Sequence, residues 1–320
     1  MLYRRIQVLL ANLLVLQVVL LDAAISRERV PAEFVHDRVW LTPRLNEQPL
    51  RFFTDTGGGF NAISADAVVR LGLPTTTVED IDVVAWPRFD TGFAPPAPPS
   101  HFMDGRLVVV DADKLRGKDG FLGGRWFADS VWEFDYGEGT LHRLTEFVPS
   151  DTDGEPVSLG FQTDADGTRT MHFPSIDVTI DGEVLPMLYD SGATMTTTDA
   201  SAPIFGVEQG TEVAIGFIEA SVFERWAAAH PDWRIVDSAD RMGGASWRMI
   251  EVPMIEIGGH KAGPSWFAER PDGTFGEYMA GMMDRPTLGA IGGSTLRHFR
   301  VVLDYPGSAA YFRPIASAPE

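Results

Sequence analysis

Three stretches of this 320-residue chain set an acid, a hydroxyl and a glycine in a row: Asp55-Thr56-Gly57, Asp90-Thr91-Gly92 and Asp190-Ser191-Gly192. Two of them close apolar runs, Leu50-Arg51-Phe52-Phe53-Thr54 before Asp55 and Met187-Leu188-Tyr189 before Asp190. Burying an ionised carboxylate there costs roughly several kcal/mol unless partners compensate. Taken singly, each acid reads as a surface turn. Brought together, two such carboxyls cannot both ionise and so share one proton. The ionised member can then act as general base on a water, and the protonated one as acid. Asp90 follows Trp86-Pro87-Arg88-Phe89 rather than an apolar strand. It reads as a turn, conceivably at the tip of a loop covering a cleft.

The elements that must hold these acids are β-like. Val39-Trp40-Leu41 and Leu50 to Thr54 are short runs rich in β-formers, preceded by a charged spacer over 27–33. A short helix is expected from Ser64 as cap to Leu71, stopped by Gly72. Leu107 to Val110 and Val131 to Tyr136 read as strands, and the intervening 75–105 region, with Pro95-Pro96-Ala97-Pro98-Pro99, as irregular. Pro149 to Pro156 is polar and turn-rich, a linker between two lobes over 34–148 and 157–320. In the second half Ile176 to Ile180 alternates as a strand, Asp181-Gly182 is a hairpin turn signal, and Val184 to Tyr189 returns into Asp190. Ser221 with Glu224 reads as a capping box for an inserted helix through His230, and Val252 to Ile257 as a further strand.

The two halves also close alike. Ala290-Ile291-Gly292-Gly293 can be laid on Phe121-Leu122-Gly123-Gly124 and carried without a gap to Asp304-Tyr305 on Asp135-Tyr136. Both glycine pairs and both Asp-Tyr pairs coincide, which reads as an internal duplication. The longer spacing from acid to glycine in the second half is assigned to the inserted helix.

Two halves, each with strand–Asp–(Thr/Ser)–Gly and a later apolar–apolar–Gly, resemble the pepsin and retropepsin group of aspartic proteases over nearly all of the chain after residue 35. The resemblance implies an all-β, bilobal fold with two duplicated β lobes around a central cleft and few short helices. It implies Asp55 and Asp190 as a catalytic pair hydrolysing peptide bonds. Thr56 and Ser191 would tie each loop to the other lobe, with Gly57 and Gly192 behind the acids. Gly123 and Gly292 would lie where a strand passes close beneath each loop, an approach that tolerates no side chain. A peptide or protein substrate is implied, with no metal and no cofactor. With both acids in one chain, an oligomer is not required to build the site. The first loop departs from the usual pattern at Gly58 and Gly59. That departure keeps a second reading open, a protease-like fold retained for peptide binding or as a scaffold. A glycosidase pair is a poorer match, since its carboxyls stand at least about 5 Å apart.

The totals agree with an exported hydrolase and remove other classes. Hydrophobic residues at 44% and charged ones at 22% are ordinary for a globular chain. The net charge of −19 opposes nucleic-acid binding. The absence of cysteine excludes thiol catalysis, disulfides and Cys-based metal sites. No His-Glu-x-x-His or Gly-x-Ser-x-Gly is present, and Asp164-Ala165-Asp166-Gly167 lacks the remaining ligands of a calcium loop. The tryptophans read as core or cleft-wall residues. Arg4 and Arg5 precede Ile6 to Leu21, apolar apart from Gln7, Asn12 and Gln17. At about 1.5 Å per residue this run is about 24 Å long, short of the roughly 30 Å hydrocarbon core. A basic start before a short apolar run implies a signal peptide or an uncleaved membrane anchor within 1–26, with the body periplasmic or extracellular.

Overall fold

The computed structural model describes residues 26–100, 103–150, 153–242 and 244–315, so the apolar run read as a signal or anchor lies outside the described residues. No helix among the described residues is long and apolar enough to cross a membrane. The fold is all-β, built on sheets of six, eight and nine strands. The longest helix among the described residues is Ala220–Ala229.

Each acid is carried by the same ladder of strands. Phe52–Thr54 pairs in parallel with Gly120–Leu122, which runs antiparallel to Asn61–Ser64, which is parallel to Leu107–Val110, itself antiparallel to Ile81–Val84. Around the second acid the order and sense recur. Glu183–Tyr189 is parallel to Gly289–Ile291, then antiparallel to Gly216–Glu219, parallel to Ser265–Arg270 and antiparallel to Ala245–Val252. Strands enclosed on both faces must be apolar throughout rather than alternating. Phe52, Phe53 and Thr54 are accordingly all buried, as are Met187, Leu188 and Tyr189.

A six-stranded sheet joins strands from the two halves of the chain. At its centre Val131–Asp135 runs antiparallel to Phe299–Asp304, with Glu133 opposite Val302. Those two residues are also the ones that the gap-free sequence overlay superimposes. Trp126, Phe127 and Trp132 pack under this sheet with ring centroids 4.3 to 5.3 Å apart. All three are buried, and burial of each such side chain stabilises the fold by about 1.5–3 kcal/mol.

The helix after Ser64 forms as expected. The Ser64 side chain accepts from the Ala67 N–H, and Gly72 ends the helix in the left-handed region at φ 62°. Four sequence expectations are corrected. The charged spacer is sheet: Ser26–Val30 pairs with Thr140–Thr145, and its alternating charges find partners in Arg27–Glu133 and Arg143–Glu28. The Ser221–Glu224 capping box does not form, because the helix begins two residues earlier with Glu219 at its cap and the Ser221 N–H donates to Asp272 instead. Nor is that helix an insertion. It follows Gly216–Glu219 as Ala65–Leu71 follows Asn61–Ser64, and the extra length lies in the hairpin Thr194–Thr196/Glu212–Ala214 and the turns Thr274–Tyr278 and Met279–Met282. Finally, the run Val252 to Ile257 is two strands, ending at Val252 and restarting at Ile255, since Pro253 has no N–H for a ladder. The expected linker holds a buried Asp153, which accepts from Ser150 and pairs with Arg313.

Candidate active site

Asp55 and Asp190 each stand one residue beyond a strand end, and both extend the parallel ladder by one bond. The Asp55 N–H donates to the Leu122 carbonyl and the Asp190 N–H to Ile291, each at 3.0 Å. The chain then turns sharply. The Gly57 N–H returns to Asp55 Oδ1 at 2.8 Å, and the Gly192 N–H to Asp190 Oδ1 at 2.9 Å. One oxygen of each acid is thus fixed by its own loop.

The two loops are then tied to each other. Thr56 Oγ1 donates to the Tyr189 carbonyl at 2.8 Å and accepts from the Ser191 N–H at 2.9 Å. The Thr56 N–H in turn donates to Ser191 Oγ at 3.2 Å. Both hydroxyl side chains are fully buried, where an unpaired polar group is costly. This lock brings the carboxyls together at one cavity, each packed against the other acid's loop.

The glycines follow from the same closeness. A Cβ on Gly57 would stand 2.6 Å from Asp190 Cγ, so each loop's glycine faces the other loop's acid. A Cβ on Gly123 would meet the Gly58 carbonyl oxygen at 2.5 Å, and one on Gly292 the Ile215 carbonyl oxygen at 1.8 Å. Both positions are close backbone crossings, Gly123 against the first Asp loop and Gly292 against Ile215. Gly58 has its own cause: a Cβ there would stand 2.4 Å from Cζ of Phe121. The departure in the first loop thus makes room for an aromatic ring, and the loop stays hydrogen-bonded through Gly58 N–H to Asp55 O at 3.0 Å.

Electrostatics set the pair apart from ordinary carboxyls. Burial raises the pKa of both, and for Asp190 the neighbouring Asp55 charge adds to it, pushing that carboxyl well above its usual range. For Asp55 the Asp190 carboxyl, the Gly57 N–H and the Arg38 charge oppose the rise without cancelling it. Such a pair keeps one proton where lone acids have lost theirs, and so offers an acid and a base side by side.

The acids open onto a cavity of about 330 Å³, whose apolar wall includes Phe53, Phe121, Phe217 and Leu115. Sequence reasoning missed its polar wall, made of Arg38, Arg116, Lys118 and Glu212. These residues come from separate strands and turns, and their sequence signal is slight: Arg38 opens the otherwise apolar Arg38–Leu41.

The remaining candidates lie elsewhere. Asp90 is a surface turn, not a cleft residue. Its carboxylate accepts from the N–H groups of Asn46 at 3.0 Å and Glu47 at 2.9 Å, and it does not line the cavity. The proline-rich segment is docked on the body rather than over the acids, with Pro96 O accepting from Trp126 Nε1 at 2.8 Å. Asp164 closes its own turn, accepting from the Asp166 and Thr168 N–H groups.

No protein-family model matches the chain, and neither does any curated protein.

Proposed function

We propose that the protein is an aspartic-type endopeptidase in which Asp55 and Asp190 activate one water between them. The reading rests on one observation, the two carboxyls set side by side by two matched and mutually locked loops at one cavity. In this mechanism the ionised acid takes a proton from the water as it attacks the peptide carbonyl. The protonated acid donates to the carbonyl oxygen, and a proton is then passed to the leaving amine. Hydroxyl locks and backbone N–H donors prevent the pair from reorganising during these steps.

The two ladders and their antiparallel junction support a duplicated, two-lobed organisation with the cleft between the lobes. The basic-then-apolar N-terminus supports export, with the working body outside the cytoplasm. Digestion of a peptide library across acid to neutral pH, with cleavage sites mapped by mass spectrometry, tests the activity. Internal cleavage by the wild type and none by a folded Asp190→Asn protein is the expected result. Peptide binding without cleavage by the wild type would favour a scaffold.

A further inference from the structure

The wall of the cavity beside the acids has a charge opposite to that of the protein as a whole. The chain carries −19, yet Arg38, Lys114, Arg116 and Lys118 all line this one cavity. Apart from the Asp pair, which holds a proton, the acid lining it is Glu212. Glu212 serves three of the cations at once, Arg38 at 2.8 Å, Arg116 at 3.2 Å and Lys118 at 3.4 Å.

Two of these cations, Arg38 and Lys118, are held in place and largely stripped of water. The Arg38 side chain is 5% exposed and its guanidinium lies 4.5 Å from the Phe53 ring centroid and 4.8 Å from that of Trp40. Its Nε has no hydrogen-bond partner among the described residues. Lys118 is 11% exposed, whereas Arg116 is 62% exposed and reaches the mouth. Burial lowers the pKa of both Arg38 and Lys118, with Glu212 only partly opposing it. Burial also works against ionisation of Glu212, but the surrounding cations overcome that and hold its carboxyl below the usual range. A single carboxylate among three cations, two of them largely stripped of water, leaves positive potential unspent, and a low-dielectric cleft focuses it.

We propose that this wall is a carboxylate subsite, which takes an Asp or Glu side chain or the free C-terminus of the bound peptide next to the cleavage point. The inference rests on the peptide-cleft reading above and adds the chemical class of substrate. A carboxylate entering past Arg116 and Lys114 meets charge-assisted donors at the mouth, with Lys118 and Arg38 behind them. The rest of the acidic surface repels such peptides, so the cavity is where they are drawn.

Binding separates this inference from turnover. C-terminally amidated fluorescent peptides with one Glu or Gln walked along the sequence are titrated against full-length Asp190→Asn protein at low salt. A third arm gives the all-Gln peptide a free C-terminal carboxylate. A Glu at one position is expected to tighten binding by about tenfold, with the gain shrinking as salt is added. An equal gain in the third arm alone would identify the chain terminus as the source. The exposed reversals Arg116→Glu and Lys114→Glu together are expected to abolish the gain, and Glu212→Gln, which frees three cations, to enlarge it. Equal binding of all arms, or a gain that survives the double reversal, would overturn the subsite. Library cleavage by the wild type with no acid preference would also overturn it while leaving the peptidase reading intact. An acid preference in binding with no cleavage by the wild type would do the reverse.

Discussion

A Cβ on Gly192 would stand 2.2 Å from the Cγ of Asp55, closer than any real pair of carbon atoms without a bond. The second loop therefore ends against the first acid, and the spacing of the carboxyls is set by the absence of a side chain. Gly192→Ala is expected to push the acids apart, at a cost of about 1–3 kcal/mol in stability and about a hundredfold or more in rate. Cleavage kinetics beside a denaturation curve check this. A folded Gly192→Ala protein with the wild-type rate would show that the contact does not set the geometry.

The lock between the loops predicts a second outcome. Thr56→Val removes a hydroxyl that both donates to Tyr189 O and accepts from Ser191 N–H, and leaves both of those buried groups unpaired. A loss of about 1–3 kcal/mol per unsatisfied group is expected, with Thr56→Ser recovering most of it. Thermal unfolding of the two variants against the wild type measures it, and equal melting temperatures for Val and Ser would contradict the lock.

How much of this was legible beforehand depends on whether a residue's role is local. Ser64 and Gly72 could be read because a cap and a left-handed stop are decided within a few residues. Asp55, Asp190, Gly123 and Gly292 stand out in the sequence because the pattern occurs twice and Asp90's copy lacks the apolar strand. Ser221 misled because its N–H is claimed by Asp272, far along the chain. Arg27 to Glu33 was read as spacer because the charges that pair with it, Glu133 and Arg143, lie on strands that only folding brings alongside. Arg38, Lys118 and Glu212 meet for the same reason, and no spacing among them signals it.

Burial of the pair has a sign in stability. Both folded pKa values lie above the ordinary 3.8, so the folded state binds more protons than the unfolded one once the pH exceeds that value. The stabilising contribution is fully present below the unfolded pKa and is lost as the pH rises through the folded values. Asp190→Asn escapes this loss. Its melting temperature relative to wild type is therefore expected to improve steadily from acid to neutral pH, as differential scanning calorimetry can follow. A difference that stays flat with pH would contradict the raised values.

A buried ion pair behind the cavity gives a prediction independent of chemistry. Arg270 Nη2 meets Asp240 Oδ2 at 2.7 Å with 5% and 0% of their side chains exposed, and the guanidinium lies 4.0 Å from the centroid of the cavity-lining Phe217. Asp240→Ala leaves a buried cation alone and is expected to cost about 3–5 kcal/mol. Adding Arg270→Met should recover a large part of it. Urea denaturation of the single and double variants decides, and costs that simply add would contradict the pairing.

The central claim is that Asp55 and Asp190 hold one proton between them. Carbon NMR of protein labelled at the aspartate carboxyls, titrated from acid to neutral pH with Asp55→Asn and Asp190→Asn used for assignment, measures that proton directly. The predicted result is a coupled pair of steps whose upper one lies well above the usual carboxylate range, with the Asp190 titration moving down when Asp55 becomes Asn. An Asp190 carboxyl that titrates with the ordinary acids, unmoved by the change at Asp55, would contradict the account.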